Sequence, residues 1–143
     1  MSVLPCNAAE LVPHCPPMLF ISQLLERDLE RDTVVAEAVI PALDSLFWGG
    51  TGLLPEYCIE LLAQTMAVGN GWDLRQGGGL KRTKGYLVGL EDFVWEGKPL
   101  PGETVRLAMQ KTFEFGAVTI MHGRIEGRAG LLAQGRVKVW EDK

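Results

Sequence analysis

The sequence predicts an α+β fold in which one long buried helix is wrapped by a curved antiparallel sheet. The segment that begins at Pro55 has the pattern of a helix that is apolar on all sides, which is typical of a helix inside a core. The second half of the chain carries segments of alternating apolar and polar residues between turns, which indicates antiparallel strands. A helix and a sheet of this kind pack as two layers around a single core.

The size and charge of the chain limit the possible functions. A chain of 143 residues with 47% hydrophobic content predicts one domain, over residues 1–143, that needs no disulfide or metal to fold. The net charge of -4 argues against a nucleic-acid surface. Neither a secretion signal nor a run of about 18 apolar residues that could span a membrane is present, so we expect a cytoplasmic protein. Cys6, Cys15 and Cys58 lack zinc-like spacing and are expected to be reduced thiols.

The first elements are a stiff loop and a hairpin. Prolines exclude regular structure up to Pro17, so they hold His14 on a loop that leads into an apolar strand predicted over residues 18–26. The β-branched run at residues 33–40 predicts the returning strand, which Pro41 ends.

A glycine-rich loop over residues 42–54 precedes the helix. The helix is predicted over residues 55–72, with its end between Gly69 and Gln76, because proline suits the first helical position and glycines follow. Glu60 and Gln64 lie one turn apart, so a carboxyl and an amide point the same way from an apolar rod. An unpaired buried carboxylate is costly, so Glu60 is expected to be paired, protonated or functional.

Four strands are predicted after the helix, over residues 83–95, 103–112, 117–126 and 131–140. The alternation is clear in the last of them, where Ala133, Val137 and Val139 share one face. An antiparallel meander is the simplest arrangement of the four.

Four segments together resemble the HotDog-fold 3-hydroxyacyl-ACP dehydratases, where ACP is acyl carrier protein, and above all a subgroup similar to those of aryl-polyene biosynthesis. The sequence L-V-P-H-C-P-P-M-L at residues 11–19 is similar to the family's opening motif, and E-L-L-A-Q at residues 60–64 is similar to its helix motif. The sequence G-Y-L-V-G-L-E-D-F at residues 85–93 resembles a family strand, and P-G-E at residues 101–103 resembles the turn before a long strand.

The resemblance implies a HotDog domain with acyl tunnels at a subunit interface, in a homodimer or higher homo-oligomer or in a HotDog heterodimer. It implies elimination of water from a 3-hydroxyacyl thioester in fatty-acid or polyene-type biosynthesis. The acyl chain would be carried on the phosphopantetheine of acyl carrier protein or of CoA, and no other cofactor and no metal is implied.

The resemblance also implies the catalytic groups. Glu60 corresponds to the family's catalytic carboxyl, which protonates the leaving hydroxyl. The family takes the C2 proton with a histidine in the loop before the helix, but this chain has no histidine between Cys15 and Met121. His14 is the candidate substitute for that base, and the alternative is that it only shapes its own loop.

Further residues are candidates for binding the substrate. They are Gln64, Glu56, Val88, Gly89 and Trp48. Gln64 is alternatively a hydrogen-bond partner for Glu60 or for backbone groups. Trp48, together with Phe93 and Trp95, lines an acyl tunnel in one interpretation and packs in the core in the other. His122 is expected at the surface or on a sheet face.

Three classes of function stay open. The first is a dehydratase, the second is a thioesterase in which Glu60 activates water, and the third is a catalytically silent acyl-binding or partner subunit of a heterodimer. The motifs favour the dehydratase over the thioesterase, whereas the missing loop histidine favours the silent subunit.

Overall fold

The computed structural model describes residues 3–12, 19–50, 52–77 and 84–142. A short 3₁₀ helix (Ala8–Glu10) and one α-helix, α1 (Pro55–Arg75), lie among nine strands in this part of the chain. The strands are β1 (Cys6–Asn7), β2 (Ile21–Asp28), β3 (Thr33–Val39), β4 (Trp48–Gly49), β5 (Gly52–Leu53), β6 (Lys84–Trp95), β7 (Thr104–Phe115), β8 (Val118–Gly127) and β9 (Gly130–Asp142).

Seven strands form one antiparallel sheet in the order β1-β2-β3-β7-β8-β9-β6, and β4 and β5 form a separate small hairpin. The long helix packed on this sheet confirms the predicted α+β HotDog fold. The sequence did not predict β1, the 3₁₀ helix or the small hairpin, because segments of two or three residues are too short to show a periodic pattern. No helix in the described part of the chain is long and apolar enough to cross a membrane.

The predicted meander of four strands is correct for β7, β8 and β9 but wrong for β6. The reason lies in the connection between β6 and β7, whose two ends are hydrogen-bonded to different parts of the sheet. The N–H of Gly97 donates to the carbonyl of Leu132 in β9, and the N–H of Gly102 donates to the carbonyl of Ile40 just after β3. The connection therefore crosses the end of the sheet, which leaves β6 beside β9 at the edge and inserts β7 beside β3.

The helix α1 lies across the strands on the inner face of the sheet. A side chain on Gly69 would meet a methyl group of Val34 at 2.9 Å, and Leu62 lies near Gly123. Val34 and Gly123 both pair with Met109, so α1 crosses β3, β7 and β8 with its N-terminal half nearer to β8. Its end at Arg75 falls within the predicted interval.

An ion-pair network holds the last turns of α1 against the sheet. The guanidinium of Arg27, only 9% exposed, contacts the carboxylate of Asp73 on the helix at 2.8 Å and that of Asp32 at 3.1 Å. Because both carboxylates contact one largely buried cation, removing that cation would leave them without this pairing. The network therefore ties the C-terminal end of α1 to the strands β2 and β3.

Candidate functional site

The centre of the candidate site is a hydrogen-bonded pair on α1. The side-chain amide Nε2 of Gln64 donates to Oε1 of Glu60 at 3.1 Å. Glu60 is half-buried, whereas Gln64 is only 1% exposed. The structure therefore brings together the carboxyl and the amide that the sequence predicted on one side of the helix, with the carboxyl closer to the surface.

A second hydrogen bond fixes the orientation of the Gln64 amide. The backbone N–H of Phe20, just before β2, donates to Oε1 of Gln64 at 2.7 Å, so the amide nitrogen must face Glu60. Because this amide is buried, loss of one partner would leave a polar group unsatisfied, at a cost of about 1–3 kcal/mol. Gln64 thus forms hydrogen bonds both to Glu60 and to the backbone. This is the alternative to substrate binding that the sequence analysis gave for Gln64.

Three aromatic rings, one of them from the first turn of α1, pack against one another. Phe20 and Phe47 are edge to face with ring centroids 4.9 Å apart, and Tyr57 lies 4.8 Å from Phe20 and 5.1 Å from Phe47. Burial raises the pKa of Tyr57 to about 12, so its phenol stays protonated at neutral pH. The sequence analysis missed Phe20 and Tyr57, although Tyr57 stands one turn before Glu60 and shares its side of the helix.

The strand β6 is irregular near Phe93. Asp92 has a positive φ of 53° where the pairing of β6 with β9 shifts register. A side chain on Gly135 would come within 2.4 Å of the Cα of Phe93, and one on Gly123 would come within 3.8 Å of its ring. These two glycines leave room for Phe93, which packs against the core.

Two of the predicted substrate-binding residues are exposed, and a third has open space beside it. Val88 is 57% exposed on β6, and a side chain on Gly89 would meet nothing within 4 Å. Glu56 is exposed in the first turn of α1. Their contact with a substrate stays a prediction.

The tryptophans and Cys58 have structural contacts. The indole N–H of Trp48 donates to the carbonyl of Pro41 at 2.9 Å, and both Trp48 and Trp95 pack against the core. Cys58 is only 2% exposed, and burial, partly offset by a hydrogen bond from Trp95, raises the pKa of its thiol to about 12. A thiol that stays protonated at neutral pH is a poor nucleophile.

Replacing Cys58 by Ala is therefore expected to leave turnover unchanged and to lower the free energy of unfolding by about 1 kcal/mol, because one buried sulfur is removed. Urea unfolding and steady-state assays of the same preparation check both parts. Complete loss of turnover in a folded variant would identify Cys58 as a nucleophile and contradict this account.

The structure describes only one of the two histidines, His122. His122 pairs with Gln110 and Arg136 on the outer face of the sheet, away from α1, as expected for a sheet-face residue. His14 lies in residues 13–18, outside the described residues, and so does Cys15.

Among residues 3–12, 19–50, 52–77 and 84–142, no group of three His, Cys, Asp or Glu side chains is placed to hold a metal ion.

The sequence matches one family model, ApeP-like, which is described as ApeP dehydratase, over residues 6–143. No curated protein matches the sequence.

Several solved structures share the fold. The dehydratase heterocomplex ApeI:P from Xenorhabdus doucetiae is 21% identical, with a TM-score of 0.72 over 99% of this chain and 93% of that chain. The PaaI protein from the phenylacetic acid degradation operon of E. coli is 13% identical, with a TM-score of 0.62 over 82% and 80%. A hypothetical thioesterase with coenzyme A from Streptococcus pneumoniae is 10% identical, with a TM-score of 0.55 over 77% and 78%. At these identities the likeness shows the fold alone.

Proposed function

This chain belongs to the ApeP dehydratase family, and we propose that it eliminates water from a 3-hydroxyacyl thioester carried on the phosphopantetheine of acyl carrier protein or of CoA. The observation that carries the proposal is the half-buried carboxyl of Glu60, held by a buried amide on a helix inside the sheet. A carboxyl in this position is both accessible and oriented, as the geometry of a general acid requires.

The elimination breaks two bonds and moves two protons. A base removes a proton from C2, the electron pair forms the C2–C3 double bond, and the C3–O bond breaks. The leaving hydroxyl takes a proton from Glu60, so the products are a trans-2-enoyl thioester and water. The base then returns its proton to the Glu60 carboxylate, directly or through water, which restores the starting state.

His14 is the proposed base. The hydrogen bond from the N–H of Phe20 to Gln64 places that backbone group next to Glu60, and His14 precedes it by six positions in the sequence. If His14 does not act, the Glu60 carboxylate can take the C2 proton and hand it to the hydroxyl leaving on the same side. That route uses one group for both transfers, and it is expected to be slower.

The proposed partner is a second HotDog subunit that pairs along β6. This strand lies at the end of the sheet, and an unpaired edge exposes backbone donors and acceptors. Val88 and Val94 on β6 and Ile59 on α1 are 57%, 56% and 39% exposed, which adds apolar surface beside that edge. The heterocomplex named for one similar structure supports a heterodimer. A homodimer would pair along the same edge.

A second function, a partner subunit that is silent by itself, has one specific observation in its favour. The loop before α1 contains Phe47, Trp48 and glycines but no histidine, so the usual base of the fold is missing from this chain. In such a subunit Glu60 and Gln64 would hold the helix in place for the partner's site. The thioesterase alternative uses Glu60 to activate water, as the fold of the S. pneumoniae protein allows.

One assay separates the three functions. The purified chain, alone and with its HotDog partner, is incubated with 3-hydroxyacyl-ACP, with trans-2-enoyl-ACP and with acyl-CoA. The proposal expects interconversion of the first two substrates and no release of free thiol. Hydrolysis of acyl-CoA without interconversion would support the thioesterase, and activity that belongs only to the partner would support the silent subunit.

A further inference from the structure

A bulge in β6 turns the ring of Phe93 toward α1. Asp92 and Phe93 together stand opposite the single residue Gly135, where the pairing of β6 with β9 shifts register. Asp92 adopts a positive φ of 53°, which is an uncommon conformation for a residue other than glycine. Bulges re-aim side chains and are frequent next to active sites, so the direction of Phe93 is a candidate functional feature.

Two glycines that pair with each other across β8 and β9 leave the space that this ring fills. A side chain on Gly135 would come within 2.4 Å of the Cα of Phe93, and one on Gly123 would come within 3.8 Å of its ring. The same position on Gly123 is 3.7 Å from a methyl group of Leu62 on α1. The ring therefore extends from β6 across β9 toward β8, between bare backbone and the helix.

The inner face of β6 stays partly accessible around Phe93. Leu87 and Leu90 pair with Val139 and Val137, which are fully buried on the inner face of β9. Leu87, Leu90 and Phe93 are nevertheless only partly buried, because β6 is the last strand of the sheet. An apolar group that approaches from this edge therefore reaches the ring.

The accessible side of α1 is also apolar, and it runs from Glu60 toward the same ring. Ile59, Ala63 and Met66 lie on this side, at the spacings of four and three residues that place side chains in one row. Ile59 is 39% exposed, and the other two are partly buried. Glu60 neighbours Ala63 at one edge of the row, and Leu62, which lies beside the ring, neighbours Met66 at the other edge.

This row gives the acyl chain of the substrate a direction. Because Glu60 protonates the C3 hydroxyl in the proposed function, C3 lies at this carboxyl, and the rest of the acyl chain is stabilised by apolar surface nearby. The side of α1 that carries Gln64 is closed, since Gln64, Phe20 and Tyr57 are only 1%, 9% and 3% exposed. The accessible row leads instead to Phe93. A subunit that pairs along β6 would cover this row and make it a channel.

We propose that Phe93 sets the longest acyl chain that the site accepts, an inference that rests on the function proposed above. The ring closes the far end of the apolar row that begins beside Glu60. It cannot recede from an incoming chain, because the backbone of Gly123 and Gly135 lies behind it and the fully buried Leu62 packs beside it. Phe93 takes no part in proton transfer, and it selects substrates by length through steric exclusion.

The dependence of kcat/KM on chain length tests the proposal. The full chain, in the assembly it adopts, is given 3-hydroxyacyl-ACP substrates of increasing length. For the wild type, kcat/KM is expected to rise by up to about fourfold per methylene and to stop rising once the chain reaches Phe93. Phe93→Ala removes the ring and should move this limit by several methylenes, with a gain of about tenfold or more for substrates just beyond the wild-type limit. Turnover of the shortest substrate should not change.

Two further variants make the result specific. Phe93→Leu keeps an apolar side chain of intermediate size and should give an intermediate limit, so it decides the question if Phe93→Ala does not fold. Phe115→Ala is the matched control, because it removes a ring that is 77% exposed at the end of β7, and its length profile should equal that of the wild type. An unchanged profile in the folded Phe93 variants, or an equal shift in the control, would overturn the proposal.

A binding measurement separates this inference from the proposed function. Thioether analogues of acyl-pantetheine cannot react, and calorimetric titration gives their affinity as a function of chain length. Phe93→Ala should tighten the binding of the long analogues about tenfold or more and leave that of the short ones unchanged. If the wild type turns over no substrate but shows this effect, the proposed function fails and the length limit stands. Turnover together with analogue binding that does not respond to Phe93→Ala would overturn the length limit and leave the proposed function intact.

Discussion

Glu60→Gln is expected to abolish dehydration in a protein that stays folded and paired. The amide has the shape of the carboxyl and can keep a hydrogen bond with Gln64, but it cannot deliver a proton to the leaving hydroxyl. One general acid typically contributes about 10²- to 10⁴-fold to the rate, so a loss of at least this size is expected. Formation of the enoyl thioester from 3-hydroxyacyl-ACP, followed by mass spectrometry, measures the loss.

A matched variant makes this result specific. Glu30→Gln changes an exposed carboxyl in the turn between β2 and β3 and is expected to retain wild-type turnover. Thermal unfolding of both variants shows whether the fold is preserved. Full activity in Glu60→Gln would mean that the mechanism is wrong.

His14→Ala is expected to lower turnover by about 10²-fold or more, because it removes the proposed base. The residual rate would come from Glu60 acting on both protons. His122→Ala is the control, since His122 lies on the face of the sheet opposite α1, and its turnover should stay near that of the wild type. The ratio of kcat between the two variants is the measurement, and equal rates would assign His14 a role in shaping its loop.

The helix and its carboxyl could be predicted because their signals are local. Pro55 marks the start of α1, the apolar residues on all sides mark its burial, and the spacing of Glu60 and Gln64 places them together without knowledge of the rest of the fold. The structure agrees on the start of the helix and on the pair. Burial on all sides was wrong for this chain, because the helix packs on one face of the sheet and leaves Ile59 39% exposed.

The contacts that complete the site depend on residues far apart in the sequence. The N–H of Phe20 meets Gln64 because β2 and α1 pack together, and no periodic pattern specifies which backbone group a buried amide will reach. The edge position of β6 likewise follows from hydrogen bonds of Gly97 and Gly102 to separate parts of the sheet. Alternating residues predict that a segment is a strand, but they do not identify its neighbours.

The most direct test of the claim that Glu60 eliminates water is a single-turnover measurement on this chain assembled with the proposed HotDog partner. Any carboxyl that the partner carries at the position equivalent to Glu60 is first replaced by an amide. The account predicts that trans-2-enoyl-ACP still forms from 3-hydroxyacyl-ACP, and that formation stops when Glu60→Gln is added. No product with Glu60 intact, in a folded assembly that was active before the partner was changed, would contradict it and assign the chemistry to the partner.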